Sequence, residues 1–471
     1  MDVKILPAAL FSVRGILRKR EIAGELPSER EAYRLVIGIA LPALIELVFT
    51  TLINTFDMLM VSSLGTYAIT SIGITTQPRM VVLMLFMSLN VGVTSIVART
   101  KGEGNPRAAA LCVRQALIMV ILMELVLLSA AIIFAPQFLT FAGANEECLP
   151  YATRYFRIIM AGMSVQQIGS CIVAAQRGAG KTKISLVIAV LSNITNITFN
   201  FFLIEGRFGF PRLEVTGAAI ASVMGYFAGF VVAVVSLIRS KDVIAARYCP
   251  ERWRPDLGMM KRIWRVAGNA MIEQIGLRVG FFMFAQIVAE LGTDVFATHQ
   301  ICMQVLEFSF VFGEAHSIAA TSLSGQSLGK HRSDLAYLYT GIAQRITMIL
   351  SCFIFVLFFT AGEFFMRLFS QEAEVVVLGI QIMKLCAFAQ FFQIYRVVIS
   401  GCLRGAGDNR FLAVVSLAGV VIIRPVLSFV LVNWLQYGLI GAWIATLVDM
   451  AVRALITAVR FSSGKWTSKI V

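Results

Sequence analysis

The chain of 471 residues is 58% hydrophobic and only 14% charged, so it has more apolar surface than one or two water-soluble cores could bury. This composition excludes an ordinary soluble protein and requires a lipid bilayer as the solvent. The net charge of +14 could suggest a nucleic-acid-binding protein, but the positive residues recur in alternate loops and do not gather on one polar domain. Nucleic acid is therefore not expected as a partner.

Mostly apolar stretches follow one another along the whole chain, each long enough to cross a hydrocarbon core of about 30 Å as a helix. In the first half they fall near residues 35–62, 68–98, 109–135, 150–175, 183–205 and 215–238. In the second half they fall near residues 260–290, 295–325, 335–361, 374–402, 411–434 and 438–460. The pattern predicts an all-α polytopic membrane protein with 12 transmembrane helices.

Positive residues follow every second predicted helix, whereas the intervening loops are acidic or nearly neutral. Arg99 and Lys101 follow the second helix, and Arg404 and Arg410 follow the tenth. By the positive-inside rule, both termini are predicted to be cytoplasmic and the protein to lie in the cytoplasmic membrane. A basic lead without a short apolar run and cleavage site precedes the first helix, so no cleaved signal peptide is expected.

The second half of the sequence repeats the first at an offset of 227 residues. The Leu-Gly-Thr of residues 64–66 returns at 291–293, and the Arg-Gly-Ala-Gly of residues 177–180 returns at 404–407. Because this offset spans six helices, both copies begin on the same membrane face, which predicts two parallel-related six-helix lobes.

The repeat and the polar joint between its copies predict five segments. They are a cytoplasmic N-terminal segment (1–34), an N-lobe (35–238), a cytoplasmic linker (239–259), a C-lobe (260–462) and a cytoplasmic tail (463–471).

Enzyme signatures are absent from the sequence. The three histidines, His299, His316 and His331, lie far apart, and there is no zinc-binding helix motif, P-loop or nucleophile elbow. The eight cysteines have no paired spacing that would indicate a disulfide framework or a zinc site. We therefore expect a protein that is not an enzyme, has no cofactor and draws its energy from an ion gradient.

Asp57 is the sharpest candidate for an ion-coupled residue. It lies in the C-terminal part of the first predicted helix among apolar side chains, and its repeat partner is Phe284, so the shared fold does not require an acid there. An ionisable side chain inside a spanning helix costs on the order of 3 kcal/mol, so it needs a partner, water or a function. Asp57 could bind a proton or a small cation, or it could be a structural carboxylate satisfied by neighbouring donors.

Two further features of the first half point to the same region. Asn196 and Asn200 are spaced i, i+4 on the fifth predicted helix, and their repeat partners are Ile423 and Leu427. They could join helices by hydrogen bonds or lie beside Asp57 as oxygen ligands or as members of a proton network. Pro42 interrupts the first predicted helix and predicts a kink or hinge, either fixed or moving.

Charged residues repeated in both halves indicate a structural role instead. Glu46 has the acid Glu273 as its repeat partner, which favours structure over function. In the second half, acids and bases occur together in or near the helices, which predicts paired structural ion bridges. These residues are Arg278, Glu307, Glu314, His316, Arg345, Arg396, Arg424, Asp449 and Arg453.

From about Glu31 onward the sequence resembles the multidrug and toxic compound extrusion (MATE) family, a branch of the flippase-like exporter superfamily. The resemblance is carried by the aspartate ahead of a Leu-Gly pair, the Arg-Gly-x-Gly turn after the fourth helix and the Gly-Ala-x-Ile-Ala-Ser/Thr start of the sixth. Trp443 in the second copy is also typical. The resemblance implies two lobes that alternate between inward-open and outward-open states.

The resemblance also implies a cation-coupling site in the first lobe. Its members here are Asp57, Tyr155, Asn196, Asn200 and Ser222, and Pro42 matches the bending proline of the first helix. Asn200 stands where the best-described version of the site has an aspartate, which favours protons over sodium ions as the coupling ion.

A second departure from the family pattern concerns the seventh helix. Arg278 lies at or next to the position of a glutamate that one bacterial branch uses for cation binding in the second lobe. The resemblance is therefore nearest to the branch typified by damage-inducible protein F.

The sequence thus predicts a monomeric secondary transporter that exports organic cations or drug-like solutes against H⁺ or Na⁺. One alternative keeps the fold and makes the protein a dedicated exporter of a lipid-linked compound or a metabolite. A cavity lined by several arginines would favour a phosphate-bearing lipid, whereas an acidic or aromatic cavity would favour cations. An ion channel or a membrane-embedded enzyme is the alternative from another class, and the sequence has no selectivity-filter-like loop to support it.

Overall fold

The computed structural model describes residues 12–17, 21–62, 64, 66–146, 148–204, 206–240, 242–245 and 253–469, without the side chains of residues 54–59, 61–62, 66–67 and 69. Almost all of this chain is helical, and we label its twelve long helices α1 to α12. The first six are α1 (Glu29–Ser62), α2 (Thr66–Gly102), α3 (Pro106–Ile133), α4 (Leu149–Gly178), α5 (Thr182–Leu203) and α6 (Glu214–Ile238). The second six are α7 (Leu257–Ala289), α8 (Thr293–Gly329), α9 (Ser333–Thr360), α10 (Ala373–Gly405), α11 (Asn409–Trp434) and α12 (Gly438–Ser463).

Within the described residues, 12 helices are long and apolar enough to cross a membrane, which confirms the predicted all-α multi-pass fold. Two short helices, Ala135–Phe141 and Gly362–Phe369, follow α3 and α9 and were not predicted, because neither is long enough to give a membrane-span signal. They begin at repeat-equivalent positions, so the repeat extends to these short elements.

α1 and α7 begin earlier than their apolar stretches. α1 starts at Glu29 and α7 at Leu257, whereas hydropathy places their starts near residues 35 and 260. The reason is capping: the Ser28 N–H donates to Glu31 Oε2 at 3.0 Å, and Asp256 Oδ1 accepts from the Met259 N–H at 2.8 Å. Such caps satisfy exposed N–H groups and let a helix extend past its apolar part.

By the contacts between residues, the chain divides into two compact units. One contains Met1–Leu44 with Asn269–Val471, and the other contains Ile45–Gly268. The start of α1 therefore belongs with the second half of the chain, where Val36 shares an apolar cluster with Leu338 of α9. α1 leaves this unit two residues after Pro42.

Both described ends of the chain pack on α9. Ile16 of the short helix Val13–Leu17 fits against Gly341, and the backbone carbonyl of Ser12 accepts a 3.0 Å hydrogen bond from Arg345. At the other end Trp466 is fully buried, with its ring centroid 4.8 Å from that of Tyr337. These contacts fix the two ends on a single helix.

α11 is the least regular of the long helices. Residues Ala418–Ile423 and Val430–Trp434 form π-helical turns on either side of a short α-helical segment. Pro425 lies in that segment and has no N–H, so the carbonyl group one turn earlier loses its α-helical partner and the helix widens.

The segment after α6 is attached by charge to the other helices of the unit Ile45–Gly268. Asp242 Oδ2 lies 3.2 Å from the amino groups of both Lys101 and Lys181, and its Oδ1 accepts from the Val243 N–H at 2.8 Å. Burial raises the pKa of Asp242, but the Val243 hydrogen bond and the two amino groups outweigh it and hold the pKa below its usual range.

Candidate functional site

The close packing of α5 on α6 positions the polar residues of the first half. A methyl group at Gly225 of α6 would lie 2.7 Å from the carbonyl oxygen of Ser192 and 3.0 Å from Asn196 Cβ. Only glycine allows the two backbones to approach this closely. The result is that Asn196 of α5 faces Ser222 of α6 across a narrow interface.

The amide and hydroxyl groups of this interface form a chain of hydrogen bonds. Asn200 Nδ2 donates to Asn196 Oδ1, and Asn196 Nδ2 donates to Ser222 Oγ, each at 3.3 Å. The Ser222 hydroxyl donates in turn to the carbonyl oxygen of Ala218 at 3.0 Å. Asn196 is 7% exposed and Asn200 is 2% exposed, so this polar chain is buried among apolar helices.

Tyr155 shares an apolar cluster with Ala218, whose carbonyl oxygen accepts the Ser222 hydrogen bond. It projects from α4 into an apolar cluster that also contains Ala218 and Ala219 of α6, and Met60 of α1 packs against the same cluster. Four helices, α1, α4, α5 and α6, therefore meet in this part of the unit Ile45–Gly268. Asp57 belongs to α1, but its side chain is outside the described residues, so its place in the site stays a prediction.

The second half has no matching polar chain at the equivalent positions. The repeat partners of Tyr155, Asn196, Asn200 and Ser222 are, in the same order, Ile382, Ile423, Leu427 and Thr446. Of the four polar groups, only the hydroxyl of Ser222 has a counterpart in the second half, on Thr446. Since the shared fold forms without the tyrosine and the two amides, their presence in one half needs a reason beyond folding.

Glu124 of α3 is a buried acid that the sequence interpretation did not single out. Its side chain is 8% exposed, and its Oε1 has no hydrogen-bond partner among the described residues. Its repeat partner is Ser351. The criterion that identified Asp57, an acid in an apolar helix with an uncharged repeat partner, also identifies Glu124.

The repeated acids are both paired, as expected for structural residues. Glu46 binds Arg177 at 2.6 Å, and its repeat partner Glu273 binds Arg404 at 3.4 Å. Each pair joins the first helix of a repeat to the Arg-Gly-Ala-Gly turn. Among the described residues, no three His, Cys, Asp or Glu side chains lie close enough together to hold a metal ion.

Comparison with known proteins places these features in a family. The family model MatE matches residues 42–202 and 270–430, which together make up more than half of the chain. The chain belongs to the MatE family.

Two curated relatives of the MatE chain cover nearly its whole length. The "Probable multidrug resistance protein NorM" of Thermotoga maritima is 26% identical over 451 residues, which are 95% of this chain and 96% of the relative. The "Multidrug resistance protein NorM" of Vibrio cholerae is 22% identical over 441 residues, covering 92% and 95% of the two chains.

Solved structures show the same MatE fold. One is described as the outward-facing conformation of a multidrug resistance MATE family transporter of the MOP superfamily, and it matches with a TM-score of 0.84 at 18% identity over 92% of this chain and 96% of that one. The two matched MatE segments each cover five long helices of one half, which agrees with the internal repeat. As a MatE protein, the chain is a membrane transporter and not an enzyme.

Proposed function

We propose that this MatE protein exports organic cations or drug-like solutes across the cytoplasmic membrane in exchange for protons, with Asp57 as the coupling residue. One observation carries the proposal: the buried chain of Asn200, Asn196 and Ser222 occurs in only one of two matching halves. The drug-resistance names of the relatives support the choice of solute. The protein acts as a monomer with both termini in the cytoplasm.

The coupling depends on a difference in ion affinity between two conformations, because an ion that binds both equally shifts nothing. Proton binding to Asp57 removes a negative charge from α1, and the amides of Asn196 and Asn200 then exchange their acceptors. α1 bends near Pro42, where it also passes from one compact unit to the other. The cavity of the first lobe shrinks and the solute leaves on the outer side.

The side-chain oxygen atoms of the proposed coupling residues also suit Na⁺, which prefers oxygen ligands. A transport measurement therefore has to distinguish the two coupling ions. Vesicles containing the purified protein and ethidium are exposed to an inward proton gradient or, separately, to an inward sodium gradient. The proposal predicts ethidium efflux in the proton arm. Efflux in the sodium arm alone would replace the proton with sodium and leave the antiport mechanism intact.

Asp57→Asn should reduce proton-driven efflux to the rate of protein-free vesicles, because an amide cannot change its charge. A matched control is Glu363→Gln, which neutralises an exposed acid paired with Arg367 at the surface. Full gradient-driven efflux by Asp57→Asn would contradict the assignment of the coupling residue.

The polar chain is tested by giving the first half the residues of the second. Asn196→Ile and Asn200→Leu each introduce the repeat partner and should slow efflux by about tenfold, the equivalent of one lost hydrogen bond. Asn193→Val, on the same helix and also a change to the repeat partner, is the control and should keep the wild-type rate. If Asn196→Ile and Asn200→Leu exported ethidium at the wild-type rate, as Asn193→Val should, the polar chain would serve only to join helices.

A further inference from the structure

The second half of the chain buries an ion cluster whose charges do not balance. Arg424 of α11 donates to Asp449 Oδ2 of α12 from Nε at 3.1 Å and from Nη2 at 2.8 Å. Arg453 donates from Nε to Asp449 Oδ1 at 2.8 Å and from Nη2 to Oδ2 at 2.7 Å. Two guanidinium groups therefore share one carboxylate. We call these three residues the arginine cluster, and its formal charge is positive.

The cluster is almost completely removed from solvent. The side chains of Arg424, Asp449 and Arg453 are 1%, 0% and 3% exposed. A third guanidinium, that of Arg396 on α10, lies within electrostatic range of Arg453 and Asp449. Arg396 also lies within range of Glu273 and Arg404, and Arg404 has a second acid nearby, Glu314, so Arg396 is not counted in the charge of the arginine cluster.

The fold does not require this charge. The repeat partners of Arg396, Arg424, Asp449 and Arg453 in the first half are, in the same order, Gly169, Ile197, Gly225 and Gly229. A buried charge without a counter-charge costs several kcal/mol in a protein interior. A cluster that the other repeat lacks, and that is positive in excess, indicates that a negative charge belongs beside it.

Buried donor groups surround the same place. Arg424 Nη1 and Trp443 Nε1 have no hydrogen-bond partner among the described residues, and neither does His299 Nδ1. All three side chains are at least nine-tenths buried. Arginine and tryptophan nitrogens donate hydrogen bonds and accept none, so a ligand here must be an acceptor.

Ring contacts connect these three side chains through Phe284. The Arg424 guanidinium lies 5.6 Å from the Phe284 ring centroid, and the Phe284 ring lies 5.3 Å from that of His299. The His299 ring is in turn 5.7 Å from Trp443. Phe284 is the repeat partner of Asp57. In the repeat, the donor groups of the second half therefore lie around the position that Asp57 has in the first half.

The backbone beside Arg424 is also irregular. The π-helical turn Ala418–Ile423 ends at the residue before it. Gly419 within that turn lies so close to Arg453 and Asp449 that a methyl group there would overlap both side chains. π-helical turns are frequent at functional sites because they move a side chain out of the regular helical position.

We propose that α7, α8, α11 and α12 of the second half enclose a binding site for a small monovalent anion, which Arg424, Trp443 and His299 hold by hydrogen bonds beside the arginine cluster. Chloride and the carboxylate group of a small organic acid share the required chemistry: one negative charge and acceptor capacity in several directions. The site is separate from the proposed cation-coupling residues, and it would exist even if the exported solute were not a cation.

The test is thermal unfolding of the purified full-length protein in detergent, titrated with sodium chloride, sodium acetate or sodium gluconate at constant ionic strength. Gluconate is too bulky for a site enclosed by four helices and serves as the reference. We expect a saturable rise in unfolding temperature of about 2 °C at roughly tenfold excess over the dissociation constant. Chloride alone would identify a halide site, and acetate would extend it to carboxylates.

Trp443→Phe removes one donor and keeps a ring against His299. The anion concentration at half effect should rise by about tenfold, since a hydrogen bond to a charged group is lost. The matched control is Trp434→Phe, whose side chain is 74% exposed and whose titration should equal that of the wild type. Arg424→Lys keeps the charge but loses the forked donor, and it should also weaken the response.

Identical unfolding temperatures in chloride, acetate and gluconate would overturn the proposal, and the excess charge would then be screened by water. A wild-type response in Trp443→Phe would overturn it too, because the anion would act elsewhere on the protein. The unfolding transition of Trp443→Phe in gluconate shows whether the variant is folded, and only the anion-dependent rise above that temperature is compared.

Discussion

Replacing Asp449 by asparagine should be among the most destabilising single changes in this protein, whereas Glu363→Gln should be nearly neutral. Both substitutions neutralise an acid in an ion pair, and the nitrogen–oxygen distance is 2.8 Å in Arg424–Asp449 and in Arg367–Glu363. Distance therefore does not separate the two cases. Burial does, because Glu363 and Arg367 are each more than half exposed, while Asp449 is fully buried.

The size of the effect follows from what each change leaves behind. Asp449→Asn leaves the Arg424 and Arg453 guanidinium groups buried with no counter-charge in the arginine cluster, and breaking a buried pair in this way costs about 3–5 kcal/mol. Water replaces the lost partner at Arg367, so Glu363→Gln costs only about 0.3–0.5 kcal/mol. The unfolding temperature should fall by roughly 3–5 °C in the first variant and by less than about 1 °C in the second.

The assay is thermal unfolding in one detergent at one salt concentration, with gluconate as the anion. Repeating it in chloride adds a second reading: the stabilisation by chloride should be larger in Asp449→Asn than in the wild type, because the positive excess has grown. A fall of less than 2 °C in Asp449→Asn would refute the reasoning, since the buried guanidinium groups would then have to be solvated in the folded state.

Three further outcomes are expected. Pro42→Ala restores a backbone donor within α1, so it should slow ethidium efflux from vesicles about tenfold without lowering the unfolding temperature, if the proline is a moving hinge. Gly225→Ala should lower the unfolding temperature by the equivalent of about 1–3 kcal/mol and slow efflux, because a methyl group would push α5 from α6, whereas Gly73→Ala, with open space around it, should do neither. The pKa of Asp242 is lowered in the folded protein, so its stabilisation is present at neutral pH and is lost as the pH falls through that lowered value. The unfolding temperatures of the wild type and Asp242→Asn should therefore differ by the equivalent of about 1 kcal/mol at neutral pH and converge below about pH 4, and Lys101→Gln should show the same convergence.

The twelve helices could be predicted from the sequence because a membrane-spanning helix needs a long apolar stretch, and that signal is local. Helix ends were less well predicted, since the caps at Ser28 and Asp256 depend on a few polar atoms and not on hydropathy. The π-helical turns of α11 were not predicted at all. Pro425 was visible, but whether a proline kinks, breaks or widens a helix depends on what packs around it.

The candidate site was predictable to the extent that the repeat exposed differences between its copies. Asn196 and Asn200 stood out because their partners are apolar, and the structure joins them by a hydrogen bond. Glu124 met the same test in the sequence and was missed, and the packing of α3 shows that it is buried. The meeting of Arg424, His299 and Trp443 could not be predicted, since they come from three helices whose contacts are decided by the tertiary fold.

The attachment of both described ends of the chain to α9 has a consequence for the order of the two repeats. Gly341, which contacts Ile16, is one helical turn from Tyr337, which contacts Trp466, so the two described ends of the chain lie on neighbouring turns of α9. Chains whose termini lie close together commonly tolerate circular permutation. A version opened between α6 and α7, with its old ends joined by a flexible linker, should fold with the repeats in reverse order and still catalyse efflux from vesicles.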